Sequence, residues 1–119
     1  MTFLRSVLTA GALLLGLAGP AAPHSLLLEA TPAAGAVLAA SPPRASLRFN
    51  NRIEKPLSRL HLARGGGERR ELTVHPGGPV DRLEAALPPL PAGGWRLEWH
   101  VLSTDGHVVR GRVPFRVAP

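Results

Sequence analysis

Alternation of apolar and polar residues is the dominant pattern of this chain beyond residue 40. It is clearest in Arg44–Phe49, in residues 95–101 and in residues 111–117, where every second side chain is apolar. A period of two is typical of a β-strand with one buried face. Shorter apolar runs at 26–29, 60–62, 72–74 and 83–87 predict further strands. No segment has a helical period long enough to compete.

Proline and glycine clusters separate these runs and predict turns. They lie at residues 42–43, 65–67, 76–79, 88–89 and 91–94. The glycines at 65–67 are interpreted as a hairpin loop, because no phosphate-binding motif surrounds them. About seven short strands at this spacing predict an all-β sandwich. A length of 119 residues, without repeats or a linker, favours one domain.

The first residues have the three-part pattern of a secretory signal peptide. Arg5 supplies positive charge, residues 7–18 form an apolar run of 12, and small residues follow at 19–22. A membrane-spanning helix needs about 20 apolar residues, so this run is too short to span. We therefore expect a signal peptide at 1–23, cleaved between 21 and 23, and an exported domain at 24–119. No transmembrane segment is expected in the mature chain.

Composition removes several classes of function. The chain has no Cys and one Met, so disulfide scaffolds, thiolate metal sites and thiol nucleophiles are excluded. The net charge is +6, and six of the 13 arginines fall on outward strand positions, namely Arg44, Arg48, Arg96, Arg110, Arg112 and Arg116. Aromatics are only 4%, without the interleaving that a nucleic-acid surface needs, so no nucleic-acid partner is expected. A solvated face is favoured, with docking to an acidic partner or anionic lipid left open.

Histidines carry the remaining candidate chemistry. His61 and His100 lie on outward strand positions and His75 precedes a turn, as surface histidines do. His24 stands at the expected processing boundary, and His107 lies two residues after Asp105, between the two best strands. Residues two apart in an extended segment project to the same side, so carboxylate and imidazole could converge on one ion. By itself this D-x-H pattern is common in loops.

The last strands resemble those of the CopC family of periplasmic copper-resistance proteins. The family pattern W-x-x-x-S-x-D-x-H, followed by G-x-x-x-F-x-V, is matched by Trp99, Ser103, Asp105, His107, Gly111, Phe115 and Val117. The start is similar as well: His24 is followed by a T-P-A-x-G turn at residues 31–35. Leu47 and Phe49 resemble the family's L-x-F strand, and residues 88–95 resemble its approach to the tryptophan strand. The resemblance covers nearly all of 24–119.

This resemblance implies a seven-stranded, Ig-like Greek-key β-sandwich that binds Cu(II). Its ligands would be the amine and ring of an N-terminal His24, together with Asp105 and His107. Nitrogen and oxygen donors suit the tetragonal geometry of Cu(II). It also implies a periplasmic, monomeric, non-enzymatic protein for copper resistance and homeostasis. Such a protein would store or buffer copper, or hand it to a partner such as an inner-membrane transporter of the CopD type.

Three departures from the family pattern matter. The Met-rich Cu(I) segment of many relatives is absent, since residues 61–71 contain no Met. Asn50 and Asn51 stand where some members place a ligating Glu. Small residues favour cleavage after Ala21, which would leave His24 third in the chain. Pro23 has no N–H for an amide chelate there, so an amine-and-ring site requires His24 to be first.

Two other functions remain open at this point. One is a metal-free exported interaction module, in which Asp105 only caps a turn and His107 is a surface residue. The other is a histidine-brace copper oxidase, which the absence of Tyr and of long loops disfavours.

Overall fold

The computed structural model describes residues 25–119, which form eight β-strands and one short 3-10 helix. The strands are β1 (Leu27–Thr31), β2 (Ala36–Leu38), β3 (Arg44–Phe49), β4 (Arg59–Arg64), β5 (Glu68–Glu71), β6 (Arg82–Ala86), β7 (Gly93–Leu102) and β8 (Val108–Val117). The 3-10 helix, Lys55–Leu57, lies between β3 and β4. Within residues 25–119, no helix has the length and hydrophobicity needed to cross a membrane.

The strands form two sheets of three and five strands, in the orders β1-β3-β6 and β2-β8-β7-β4-β5. Neighbouring strands pair antiparallel except β2, which runs parallel to β8. The longest pairing joins β7 to β8 from Gly93↔Val117 to Leu102↔Val108. These two strands therefore form the long central hairpin of the larger sheet.

Every second residue of the main strands lies in the core between the sheets. On β7, Trp95, Leu97, Trp99 and Val101 are all buried, as their alternation predicts. Leu47 and Phe49 face them from β3, and the Phe49 and Trp99 rings meet edge to face at 5.1 Å. The sandwich prediction is therefore confirmed, with an aliphatic core that encloses a few aromatic rings.

Two short strands differ from the prediction. β2 has three residues and was not predicted, because its pairing with the end of β8 is decided by tertiary contact. β5 is exposed throughout and lacks apolar alternation, so its sequence carries no strand signal.

The run at 72–74, predicted as a strand, forms only an isolated bridge from Val74 to Ala85. The expected loop at Gly65–Gly67 does join a hairpin, that of β4 and β5.

Candidate metal centre

The turn between β7 and β8 holds the two described residues expected to bind metal, Asp105 and His107. The Ser103 N–H donates to the carbonyl oxygen of His107 at 2.9 Å, and the Gly106 N–H donates to that of Ser103 at 2.9 Å. Gly106 has φ +89°, a left-handed conformation that glycine adopts without strain. These contacts close a tight turn and place Asp105 and His107 on one end of the sandwich.

Asp105 accepts hydrogen bonds from two donors within this turn. Its Oδ1 accepts from the Ser103 hydroxyl and, at 3.1 Å, from the His107 N–H. Ser103 itself is 1% exposed, so its hydroxyl is a fixed donor. The hydrogen bond from Ser103, then that from the His107 backbone, lowers the pKa of Asp105 to about 2. The turn thus presents a carboxylate that stays ionised at neutral pH.

The imidazole of His107 lies against that carboxylate. His107 Nδ1 is 3.0 Å from Asp105 Oδ2, and the side chains are 61% and 24% exposed. Two neighbouring ligands at about 2 Å from a tetragonal ion lie about 2.8 Å apart. The observed separation is that of a direct hydrogen bond, and it is also close to the spacing of two ligands on one ion.

A second group of contacts brings the start of β1 to the same end of the molecule. Ser25, fully buried, donates from Oγ to Asn51 Oδ1 at 2.8 Å, and the Leu26 N–H donates to Asn50 Oδ1 at 2.7 Å. Two residues after Asn51, Ile53 forms a β-bridge with Ser103. The segment 50–53 thus links residue 25 to the turn that carries Asp105 and His107.

The third expected ligand, His24, and the expected signal peptide at 1–23 lie outside the described residues. Within residues 25–119, no group of three or more His, Asp or Glu side chains is arranged to hold a metal ion. The turn therefore supplies two donors, and a complete site needs at least one more. Position 24 immediately precedes Ser25, which Asn51 ties to this end of the sandwich.

The other three described histidines lie outside this turn, with His75 exposed and His61 and His100 partly buried. His61 and His100 are on the outer face of the five-stranded sheet, and His75 is in the exposed connection after Val74. Burial, then the charges of Arg110 and Arg59, lowers the pKa of His100. Like charges on that face disfavour a second cation there.

Sequence reasoning missed the part played by Ser25, Asn50 and Asn51. The two asparagines were interpreted only as a lost acidic ligand, whereas their side chains fasten the beginning of β1. The signal available was their position directly after the L-x-F strand. Nothing in the sequence indicates that Ser25 is their partner, because 26 residues separate it from Asn51.

Comparison with known proteins places this fold in a family. Residues 27–118 match the family model of the CopC domain. The chain belongs to the CopC family. The match spans β1 to the end of β8 and includes Asp105 and His107. The resemblance noted in the sequence is therefore confirmed.

Relatives of this CopC-family chain include named copper-resistance proteins. It is 29% identical to copper resistance protein C of Escherichia coli over 98% of this chain and 99% of the relative. The solved structure of CopC from Methylosinus trichosporium OB3b matches with a TM-score of 0.73 and 31% identity, covering 81% of this chain and 95% of that one. PcoC, a methionine-rich copper resistance protein from Escherichia coli, matches with a TM-score of 0.67 and 26% identity, over 79% and 98%.

Proposed function

We propose that this protein binds one Cu(II) ion as cargo, through His24, Asp105 and His107, in the periplasm. The pairing of Asp105 with His107 at 3.0 Å carries this proposal. Membership of the CopC family, with copper-resistance proteins among its relatives, supports copper as the metal. The bound ion is stored, buffered or handed on, and no chemical reaction is assigned to the protein.

The donor set favours Cu(II) over Cu(I). Imidazole, amine and carboxylate suit the tetragonal geometry of Cu(II), whereas Cu(I) prefers thiolate and thioether sulfur. The chain has no Cys, and its one Met is the first residue. The relative PcoC is described as methionine rich, so the two proteins differ in the donors that bind Cu(I). We therefore assign this chain the Cu(II) site alone.

The third ligand is assigned to His24 from the anchoring of its neighbour. Ser25 is fully buried and bonded to Asn51, and Ile53 bridges to Ser103 in the metal-binding turn. His24 directly precedes Ser25 in the chain, so its position is limited by the contact between Ser25 and Asn51. If the leader is cut before His24, its free amine and ring form a chelate, which fixes two ligand positions at the entropic cost of ordering one residue.

Cellular placement and partner follow from the expected leader and the family. We assign the mature protein, 24–119, to the periplasm as a monomer. A solvent-facing site on a hairpin turn is accessible to another protein, so copper can pass between ligand sets. An inner-membrane transporter of the CopD type is the partner that the family suggests.

The decisive experiment is a Cu(II) titration followed by electron paramagnetic resonance, on protein exported and processed by a cell. We expect one tetragonal, nitrogen-coordinated species that saturates at one equivalent. In His107→Ala, affinity should fall at least tenfold while the circular dichroism spectrum is unchanged, because the side chain projects from a turn. His75→Ala, which removes an exposed histidine far from that turn, is the matched control. Mass spectrometry of the same protein determines whether His24 is the first residue.

Three outcomes would contradict parts of the proposal. Copper that never saturates would favour a metal-free interaction module. Equal affinity in His107→Ala and wild type would refute the ligand assignment. Oxygen consumption by the copper-loaded protein with a reductant, lost in His107→Ala, would favour the histidine-brace oxidase instead.

A further inference from the structure

The outer face of the five-stranded sheet carries most of the net positive charge of the described domain. Thirteen of the chain's 14 basic residues and all 8 acidic residues lie within 25–119, a net charge of +5. The pairing registers direct six arginines and two glutamates to this outer face. They are Arg59, Arg69, Arg96, Arg110, Arg112, Arg116, Glu71 and Glu98. One surface of the sandwich therefore holds a net charge of +4.

The two glutamates of this face form their ion pairs with arginines outside β8. Glu98 accepts from Arg69 at 2.8 Å and from Arg96 at 2.6 Å, and these bonds lower its pKa to about 2. Glu71 lies 3.5 Å from Arg59. All three of these arginines belong to β4, β5 and β7. Both glutamates are thus paired with arginines of β4, β5 and β7, and Glu98 also stands directly across from Arg112 of β8 without forming an ion pair with it.

Arg110, Arg112 and Arg116 form an exposed row along β8, which we call the arginine row. No acidic side chain within residues 25–119 forms an ion pair with any of the three. From Arg110 to Arg116 the strand advances about 20 Å. An exposed valine stands near each end: Val108 precedes Arg110, and Val37 pairs with Arg116.

We propose that the arginine row docks this protein on an anionic phospholipid bilayer, with the outer face of the five-stranded sheet against the lipid headgroups. Guanidinium groups bind phosphate through paired N–H donors, and a row of them matches a surface of many phosphates. Arginines near an anionic bilayer contribute about fivefold each to binding. The valines at the two ends add a small apolar contact at headgroup depth.

A bilayer fits this face better than an acidic protein does. Stable protein interfaces combine arginine anchors with buried aromatic side chains at their centre. No Phe, Tyr or Trp of the described chain points outward here, because Trp95, Trp99 and Phe115 are all buried between the sheets. A bilayer needs no shape complementarity, only opposite charge over an extended area. The metal-binding turn, which begins β8, then lies at the rim of the contact.

The test is co-sedimentation of the full chain with vesicles, without copper. One set of vesicles is neutral phosphatidylcholine, and the other contains a third of phosphatidylglycerol. Any binding by the apolar run at 7–18 is shared by wild type and all variants, so it cancels when their partition coefficients are compared. We expect binding to anionic vesicles at 50 mM salt that is largely lost at 500 mM, because exposed charges are screened.

Two triple variants distinguish binding by the arginine row from a general effect of the protein's net charge. Substituting the arginine row with Gln (Arg110→Gln, Arg112→Gln, Arg116→Gln) should lower the partition coefficient tenfold or more. The matched control replaces three exposed arginines elsewhere: Arg44→Gln, Arg52→Gln and Arg70→Gln. It removes the same charge and should lower partitioning less than threefold. Equal losses in both triples would refute the proposal, as would no binding to anionic vesicles at low salt.

An acidic polypeptide provides the alternative outcome. If wild type binds poly-glutamate through the arginine row but not anionic vesicles, the face serves a protein partner and the membrane proposal is wrong. These results are independent of copper, so they leave the proposed metal site untouched.

Discussion

Trp99 and Gly111 pack against each other across the β7–β8 hairpin, and the absence of a side chain at Gly111 makes this contact possible. The two residues pair directly across the hairpin, and the indole lies over the glycine. A Cβ built on Gly111 would lie 2.4 Å from Trp99 Cζ2 and 2.7 Å from Cε2. The ring is fixed in turn by its edge contact with Phe49. Trp99 begins the W-x-x-x-S-x-D-x-H pattern and Gly111 begins the G-x-x-x-F-x-V pattern. The packing of the two residues explains why a large ring and a glycine stand at these positions.

Gly111→Ala should therefore destabilise the protein by about 1–3 kcal/mol, the usual cost of overfilling a packed core. The new methyl group must displace a ring that has no room to move. Urea unfolding measures this loss. Gly66→Ala is the matched control, since no atom lies within 4 Å of its added Cβ, and it should stay within about 0.5 kcal/mol of wild type. Equal stability of the two variants would contradict this account of Gly111.

For single residues, the sequence correctly predicted that Asp105 and His107 are neighbours. It did not predict the contacts that connect the start of β1 to their end of the sandwich. An i, i+2 spacing indicates proximity locally, without knowledge of the fold. The contact from Ser25 to Asn51 joins residues 26 positions apart and depends on how β1 pairs with β3. Local patterns carry no information on such a pairing partner.

Among the elements, the β7–β8 turn fixes the positions of Asp105 and His107, the two described residues of the proposed site. Its conformation rests on Gly106 in the left-handed region and on Ser103, which is buried below Asp105. The hydroxyl of Ser103 bonds to Asp105 Oδ1 and lies 3.1 Å from the carbonyl oxygen of His107. One buried side chain thus orients both residues of the proposed site.

Ser103→Ala should weaken Cu(II) binding tenfold or more, as loss of a residue that orients a ligand usually does. The unfolding free energy should fall by about 1 kcal/mol for the lost hydrogen bond. Ser58→Ala is the control that distinguishes an effect on copper binding from an effect on stability. Ser58 is equally buried and bonds to the Leu102 N–H at 3.1 Å and the Glu54 carbonyl at 2.8 Å. It should cost similar stability and leave copper affinity unchanged, as measured by competitive titration.

For the whole molecule, the sandwich brings together segments that are distant in the chain. The segment after His24 lies on the three-stranded sheet, and the turn at 103–107 belongs to the five-stranded sheet. The bridge between Ile53 and Ser103 joins them at one end. In the unfolded chain these segments are far apart, so the proposed copper site exists only in the native state.

Copper should therefore raise the melting temperature. At a free Cu(II) concentration of 100 times the Kd, binding to the native state alone adds about 2.7 kcal/mol. For a domain of this size that corresponds to a rise of about 10–20 °C. Differential scanning calorimetry of wild type and His107→Ala measures it, and the shift should disappear in the variant. A shift of equal size in both would mean that copper binds elsewhere.

The sequence by itself predicted the sandwich class, the inward faces of the long strands and the proximity of Asp105 and His107 in the turn that we propose binds metal. These follow from a period of two, from turn residues and from a short motif, all of which are local. Only the tertiary structure decided the pairing of β2 with β8, the exposed strand β5 and the anchoring of Ser25 by Asn51. It also gathered six arginines from four strands onto one face. Strand pairing joins residues distant in the chain, and no local pattern specifies it.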